Sequence, residues 1–145
     1  MRFLLAFMAV LTLPAPAFAE TYEVKMLNRN ATGAMVYEPD YLKVAPGDRV
    51  KFVAAKKGHN AASIDGMLPA GAQPFKGQIN EEIEVTLTEP GVYGVKCSPH
   101  FAMGMVMLIV VGQNDARIAE LPGDLPRRAR QRFEEILERA GRPES

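Results

Sequence analysis

The residues best suited to chemistry are rare in this chain and sit close together. Cys97-Ser98-Pro99-His100-Phe101-Ala102-Met103-Gly104-Met105 holds the single cysteine and one of the two histidines. The other histidine, His59, lies in Lys57-Gly58-His59-Asn60. A loop as short as the first can wrap its side chains around one ion, and if the second segment lies beside it, one thiolate and two imidazoles converge. Two imidazoles, a thiolate and a thioether suit copper. Soft sulfur ligands favour Cu(I), imidazole serves both oxidation states, and a His2Cys set with a weak axial methionine marks electron-transfer sites. Zinc is a weaker reading, because methionine is a poor zinc ligand. Haem attachment is disfavoured, because Cys-x-x-Cys-His is absent. A cysteine–histidine nucleophile is the rival of a different class, since an imidazole near a thiol can make a reactive thiolate; no oxyanion-hole or substrate motif accompanies it. Taken singly, each residue has a plainer role: a structurally hydrogen-bonded histidine, a methionine filling the core, a cysteine acting as a small buried hydrophobe. The joint pattern of His59, Cys97, His100 and Met105, with C-x-x-H-x-x-x-x-M following a strand, favours the metal.

Composition narrows the setting. Seventeen basic and 17 acidic side chains cancel, so there is no whole-protein field for nucleic acid. One cysteine permits neither an internal disulfide nor a multi-cysteine zinc site. The length of 145 residues suits one domain whose core needs no disulfide staples. Residues 1–19 read as a cleaved secretory signal: Arg2 precedes an apolar run from Phe3 to Leu13, Pro14 and Pro16 break it, and Ala17-Phe18-Ala19 completes the cleavage pattern. That run is too short to span a bilayer, and no later stretch reaches about 18 apolar residues. The expectation is therefore an exported soluble protein, without a membrane anchor, beginning at about Glu20. In an oxidising compartment an unpartnered thiol tends to oxidise, so something should occupy or shield Cys97.

The elements that must position these residues are strands up to about Gly112. Tyr22, Val24 and Met26 alternate with Glu23 and Lys25, the period of a half-buried strand. Leu42 and Val44 precede the turn signal Pro46-Gly47-Asp48, and Val50 and Phe52 begin the next strand. Ile83, Val85 and Leu87 alternate before a second turn at Glu89-Pro90-Gly91. Tyr93, Val95 and Cys97 then share one face, so Cys97 ends a strand pointing inward. The continuous apolar run Val106 to Val111 predicts a strand covered on both sides. Between Lys56 and Asn80 the alternation lapses into a long irregular connection, a common place for function. Short strands with Pro-Gly turns predict an all-β Greek-key sandwich or barrel over residues 20–112. Residues 113–145 predict a helical extension packed on the same domain. A short helix runs from Asn114 or Asp115 to near Leu121, and an amphipathic helix carries Leu125, Ala129, Phe133, Ile136, Leu137 and Ala140 until Gly141 stops it. Arg127, Arg128, Arg130 and Arg132 read as a solvated face, and Glu135 and Arg139 as an exposed ion pair.

These features resemble the small blue copper proteins, or cupredoxins, and within them the pseudoazurins. The similarity runs over essentially the whole chain after residue 19. It is carried by Gly33-Ala34-Met35-Val36, Pro46-Gly47-Asp48, Gly58-His59-Asn60, Ile79-Asn80-Glu81, Pro90-Gly91-Val92-Tyr93, and Val95-Lys96-Cys97 leading into Pro99-His100 and Met103-Gly104-Met105. The Cys-to-Met loop is the most specific match, and the two C-terminal helices are a further one. Ser98 stands where the family often has Thr, Phe101 where Tyr is common, and Lys25 where some members carry His.

The resemblance implies a cupredoxin-like fold with two C-terminal α-helices and one type 1 copper held by His59, Cys97 and His100, with Met105 as a long axial ligand. Asn60 is expected to tie the His59 loop to the Cys97 loop. It implies a periplasmic one-electron carrier, not an enzyme, that serves nitrite reductase or another denitrification protein and exchanges electrons with partners such as c-type cytochromes. A copper storage or delivery protein is the alternative. Electrons would leave at His100, inside an apolar patch of Met35, Pro99 and Met103 ringed by Lys57, Lys76 and Lys96, with Arg29 beyond. An exposed electron-transfer edge is most useful on a monomer.

Overall fold

The computed structural model describes residues 18–113, 115 and 120–141. Alternating apolar residues build eight strands: β1 (Thr21–Asn30), β2 (Gly33–Glu38), β3 (Tyr41–Val44), β4 (Arg49–Val53), β5 (Ala62–Ser63), β6 (Ile83–Thr86), β7 (Gly91–Lys96) and β8 (Val106–Val111). They form two four-stranded sheets, ordered β2-β1-β4-β6 and β3-β8-β7-β5. The expected sandwich is therefore present, and the barrel alternative is corrected, because each sheet keeps its own edges. Two pairings, β1 with β4 and β3 with β8, are parallel; the others are antiparallel. Hairpins cannot make parallel neighbours, so the chain must cross between the sheets.

The turn at Pro46-Gly47-Asp48 forms as its residues require. Gly47 takes φ +94, and the Asp48 carboxylate accepts from the backbone N–H of Ala45 and of Glu20, each at 2.9 Å. That carboxylate pins the start of β1 beside the start of β4.

Apolar side chains divide into two layers. Val24, Met26, Tyr37, Phe52, Tyr93, Val95, Cys97, Met105, Met107 and Ile109 fill the space between the sheets. On the outer side of the second sheet, Val106 and Leu108 meet Ala129, Phe133 and Ile136 of helix α1 (Arg127–Ala140). Strand β8 is thus buried at every position, as its unbroken apolar run predicts: alternate side chains face the sandwich and the helix. Full burial of Phe133 and Ile136 is worth about 1.5–3 kcal/mol each against exposure.

Two expectations change. The extension has one helix among the described residues; the other, expected near 114–121, falls largely on positions 114 and 116–119, which lie outside the described residues. Helix α1 starts at Arg127 and not at Leu125, because Pro126 holds an extended backbone at the helix start (φ −53, ψ 141); Leu125 still packs on the helix-side cluster. Arg139 does not pair with the Glu135 carboxylate. Its guanidinium takes both oxygens of the buried Asp40, at 3.2 and 2.7 Å, and closes the far end of α1 onto the sandwich. The signal reading of residues 1–19 concerns positions of which 1–17 lie outside the described residues.

Candidate metal centre

Two connections at one end of the sandwich bring the ligand-type residues together. His59 follows β4 at the start of the irregular connection. Its backbone is fixed by Asn80, whose N–H donates to the His59 carbonyl at 2.8 Å and whose Oδ1 accepts from the Gly58 N–H at 2.7 Å. Asn80 holds φ +67 to do so, a conformation that Asn tolerates better than most residues. Cys97 follows β7 on the inward face. A tight 3-10 segment, Ser98–Met103, starts immediately after it, with Pro99 in its first turn and Gly104 closing it at φ +89. The loop is tied to itself: the Cys97 N–H donates to the Met105 carbonyl at 3.0 Å, and the Met105 N–H donates to the His100 carbonyl at 3.1 Å.

His59 Nδ1, Cys97 Sγ and His100 Nδ1 form a compact triangle. Its sides are 3.1 Å between the two nitrogens, 3.5 Å from sulfur to His100 and 3.8 Å from sulfur to His59. The three atoms are close enough together to hold one ion, which imidazole nitrogen bonds at about 2.0 Å and thiolate sulfur at about 2.3 Å. The ring of His59 is set for this. Its Nε2 lies 2.8 Å from Asn28 Oδ1; a carbonyl can only accept, so Nε2 carries the proton and Nδ1 keeps a free lone pair toward the triangle. The donor set therefore fits a soft, single metal ion. His59, Cys97 and Met105 are fully buried, whereas His100 is half-exposed.

Burial, and then the neighbouring His100, push the His59 pKa down, which favours the neutral imidazole a metal needs. Burial pushes the Cys97 thiol up, and the backbone N–H groups of Asn60 and His100 pull it back by favouring the thiolate. Those two amides stabilise negative charge on sulfur, where a bound cation would add to the same effect. Burial also raises Tyr37 well above its ordinary range, with the Cys97 charge adding to it. Its hydroxyl stays protonated and donates to the Asn60 carbonyl at 2.7 Å.

Asn60 hydrogen-bonds across both loops. Its Oδ1 accepts from the Ser98 N–H at 2.7 Å, and its Nδ2 donates to the Gly77 carbonyl at 2.9 Å and to Ser98 Oγ at 3.1 Å. Asn28 was not singled out by the sequence reading, although a signal existed. It continues the alternation of Val24 and Met26, which puts its side chain on the same face of β1, exposed at the strand's end but within reach of His59.

Around the site, Lys57, Lys76 and Arg29 are exposed. Lys96 is half-buried, with its ammonium 5.0 Å above the Phe101 ring. Lys76 and Lys96 line a polar groove of about 500 Å³ with Ser63, Asp65 and Ser98. Pro99 and Met103 are exposed, whereas Met35 is half-buried and packs on the sandwich core. Ile79, which the sequence reading did not single out, is also exposed, beside the Asn80 that anchors His59. Among the described residues, no helix is long and apolar enough to cross a membrane.

Comparison with known proteins places this geometry. A family model described as copper binding proteins, plastocyanin/azurin family, matches residues 24–112. A pseudoazurin of Paracoccus pantotrophus is 48% identical over 130 residues, covering 89% of this chain and 90% of that protein. A putative pseudoazurin of Rhizobium leguminosarum is 42% identical over 125 residues, covering 83% and 82%. Among solved structures, a Sinorhizobium pseudoazurin superposes with a TM-score of 0.79 at 45% identity, covering 84% of this chain and 97% of that one. The pseudoazurin of Methylobacterium extorquens AM1 gives 0.76 at 38% identity, covering 82% and 98%.

Proposed function

The chain belongs to the plastocyanin/azurin family of copper-binding proteins and, like its pseudoazurin relatives, is a type 1 copper electron carrier rather than an enzyme; from that premise we propose how it holds its metal and whom it serves. His59, Cys97 and His100 would hold the copper through Nδ1, Sγ and Nδ1, and the buried Met105 would add a weaker thioether contact. The observation that carries this assignment is the triangle of Nδ1, Sγ and Nδ1 atoms with His59 Nε2 already committed to Asn28.

When bound, copper supplies a centre that exchanges one electron between Cu(II) and Cu(I). The rest is done by the chain. Burial of His59, Cys97 and Met105 keeps water off the donors. The Asn60 contacts and the cross-tied loop keep the donors in place, so little must move when the charge of the site changes. The Asn60 and His100 amides moderate the charge on the Cys97 sulfur, a lever on potential. His100, half-exposed, is the side from which a partner is reached. Met35, Pro99 and Met103 give an apolar contact there, and Lys57, Lys76 and Lys96, with Arg29, speed encounter with acidic partners while keeping complexes short-lived.

Residues 1–19 act as a cleaved export signal, and residues 113–145 extend the same domain as residues 20–112. The protein works as a periplasmic monomer. Its acceptor is a denitrification enzyme, nitrite reductase first, and it exchanges electrons with c-type cytochromes. Burial of three of the four ligands speaks against the storage or delivery alternative, which needs an exchange-prone site.

The test is addition of Cu(II) to the purified protein. An intense blue thiolate-to-copper band that bleaches reversibly on reduction is expected; a colourless product overturns the reading. Cys97→Ser abolishes the band. Met105→Leu shifts the reduction potential and retains copper.

A further inference from the structure

The family match ends at residue 112, before helix α1, so the shared copper-binding unit does not account for that helix. Its contacts do. Gly104, which closes the ligand loop, lies against the backbone of Arg128 in the first turn of α1. A Cβ added to Gly104 would stand 2.9 Å from the Arg128 carbonyl oxygen and 3.3 Å from its carbon. Two main chains touch there, with no space for any side chain between them. One turn on, the mostly buried side chain of Arg132 packs on Gly33, the first residue of β2, where an added Cβ would lie 3.1 Å from Nη2. The start of α1 is thus wedged between the β1–β2 turn and the ligand loop.

Gly104 is well placed to pass on that restraint. Its N–H donates to the Phe101 carbonyl at 3.0 Å, and the next residue, Met105, donates to the His100 carbonyl at 3.1 Å. Phe101 packs on the same cluster as Ala129 and Phe133. The beginning of the loop is gripped from the sandwich by Asn60 at Ser98, and its closing glycine, Gly104, is seated against the first turn of the helix.

We propose that α1 is a positioning element for the metal site. Through the Arg128–Gly104 backbone contact and the packing of Phe101, it sets where His100 and Met105 stand relative to Cys97, with Gly104 as the positioning residue. The proposal rests on the copper-carrier reading.

Three variants of the full chain test it. Gly104→Asn restores a Cβ while tolerating the left-handed backbone. Phe133→Ala loosens the helix near the loop. Ile136→Ala removes an equally buried side chain of the same cluster, nearer the Arg139–Asp40 end. In the copper-loaded proteins, Gly104→Asn and Phe133→Ala are expected to shift the reduction potential and the relative intensities of the thiolate-to-copper bands, and to lose copper to a chelator several-fold faster. Ile136→Ala lowers the melting temperature of the copper-free protein much as Phe133→Ala does, yet keeps the parental spectrum and potential. A parental spectrum and potential in Gly104→Asn overturn the proposal. If that variant does not fold, equal behaviour of Phe133→Ala and Ile136→Ala in spectrum and potential overturns it. A parent protein that never turns blue overturns the carrier reading instead, a result distinct from a blue parent with unresponsive helix variants.

Discussion

Asn28 Oδ1 and His59 Nε2 face each other at 2.8 Å, on the side of the imidazole away from the Cys97 sulfur. A residue at the end of the first strand therefore decides which nitrogen of a histidine 31 positions later carries the proton. Asn28→Ala leaves the fold intact and weakens copper binding about tenfold, the low end for loss of a group that orients a metal ligand, because exposed Asn28 can be replaced by water. Competition against a chelator measures it. Unchanged affinity would mean the ring is held by its packing alone.

Asn60 is buried and makes three side-chain hydrogen bonds. Asn60→Ala strands the Gly77 carbonyl and the Ser98 N–H, and at about 1 kcal/mol per bond it should cost roughly 2–3 kcal/mol of stability. Denaturant unfolding of the copper-free protein checks this. The copper-loaded variant should also show an altered visible spectrum, since Ser98 neighbours Cys97.

The lysines around the site divide in two. Lys57 and Lys76 are free to reach solvent, whereas Lys96 lies over Phe101. Lys57→Gln and Lys76→Gln should slow reduction of an acidic partner protein at low ionic strength, with the difference vanishing as salt rises toward about 1 M. Lys96→Gln also loses a cation–π contact worth about 0.5–1 kcal/mol, so it should lower the melting temperature as well. Rates of Lys76→Gln that match the parent at every salt concentration would remove this face from docking.

Asp40 and Arg139 join the β2–β3 corner to the last turn of α1, with the arginine half in solvent. Asp40→Ala removes a charge-assisted pair whose partner can rehydrate, so the expected loss is about 1–2 kcal/mol. Arg139→Met keeps the hydrophobic stem but leaves the buried Asp40 carboxylate without its partner, so it should cost more. Thermal unfolding of the two variants orders them, and the reverse order would show that water satisfies the Asp40 carboxylate once the guanidinium is gone.

The sequence by itself determined six of the eight strands, though not β2 or the two-residue β5, together with the inward direction of Cys97 and the double burial of Val106–Val111, because each rests on a period of two or on an unbroken apolar run. It also determined which residues could bind a metal, since a chain with one cysteine and two histidines offers few choices. Only the tertiary structure decided how His59 meets Cys97 and His100, because the contact spans 38 residues and depends on the loop that Asn80 fixes. The same holds for Asn28 and for the seat of α1. A histidine N–H that finds an acceptor at a strand end, a guanidinium whose terminal nitrogens take Asp40 in place of the Glu135 carboxylate, and a glycine that lets two main chains touch are matters of three-dimensional proximity, which the local pattern of side chains does not encode.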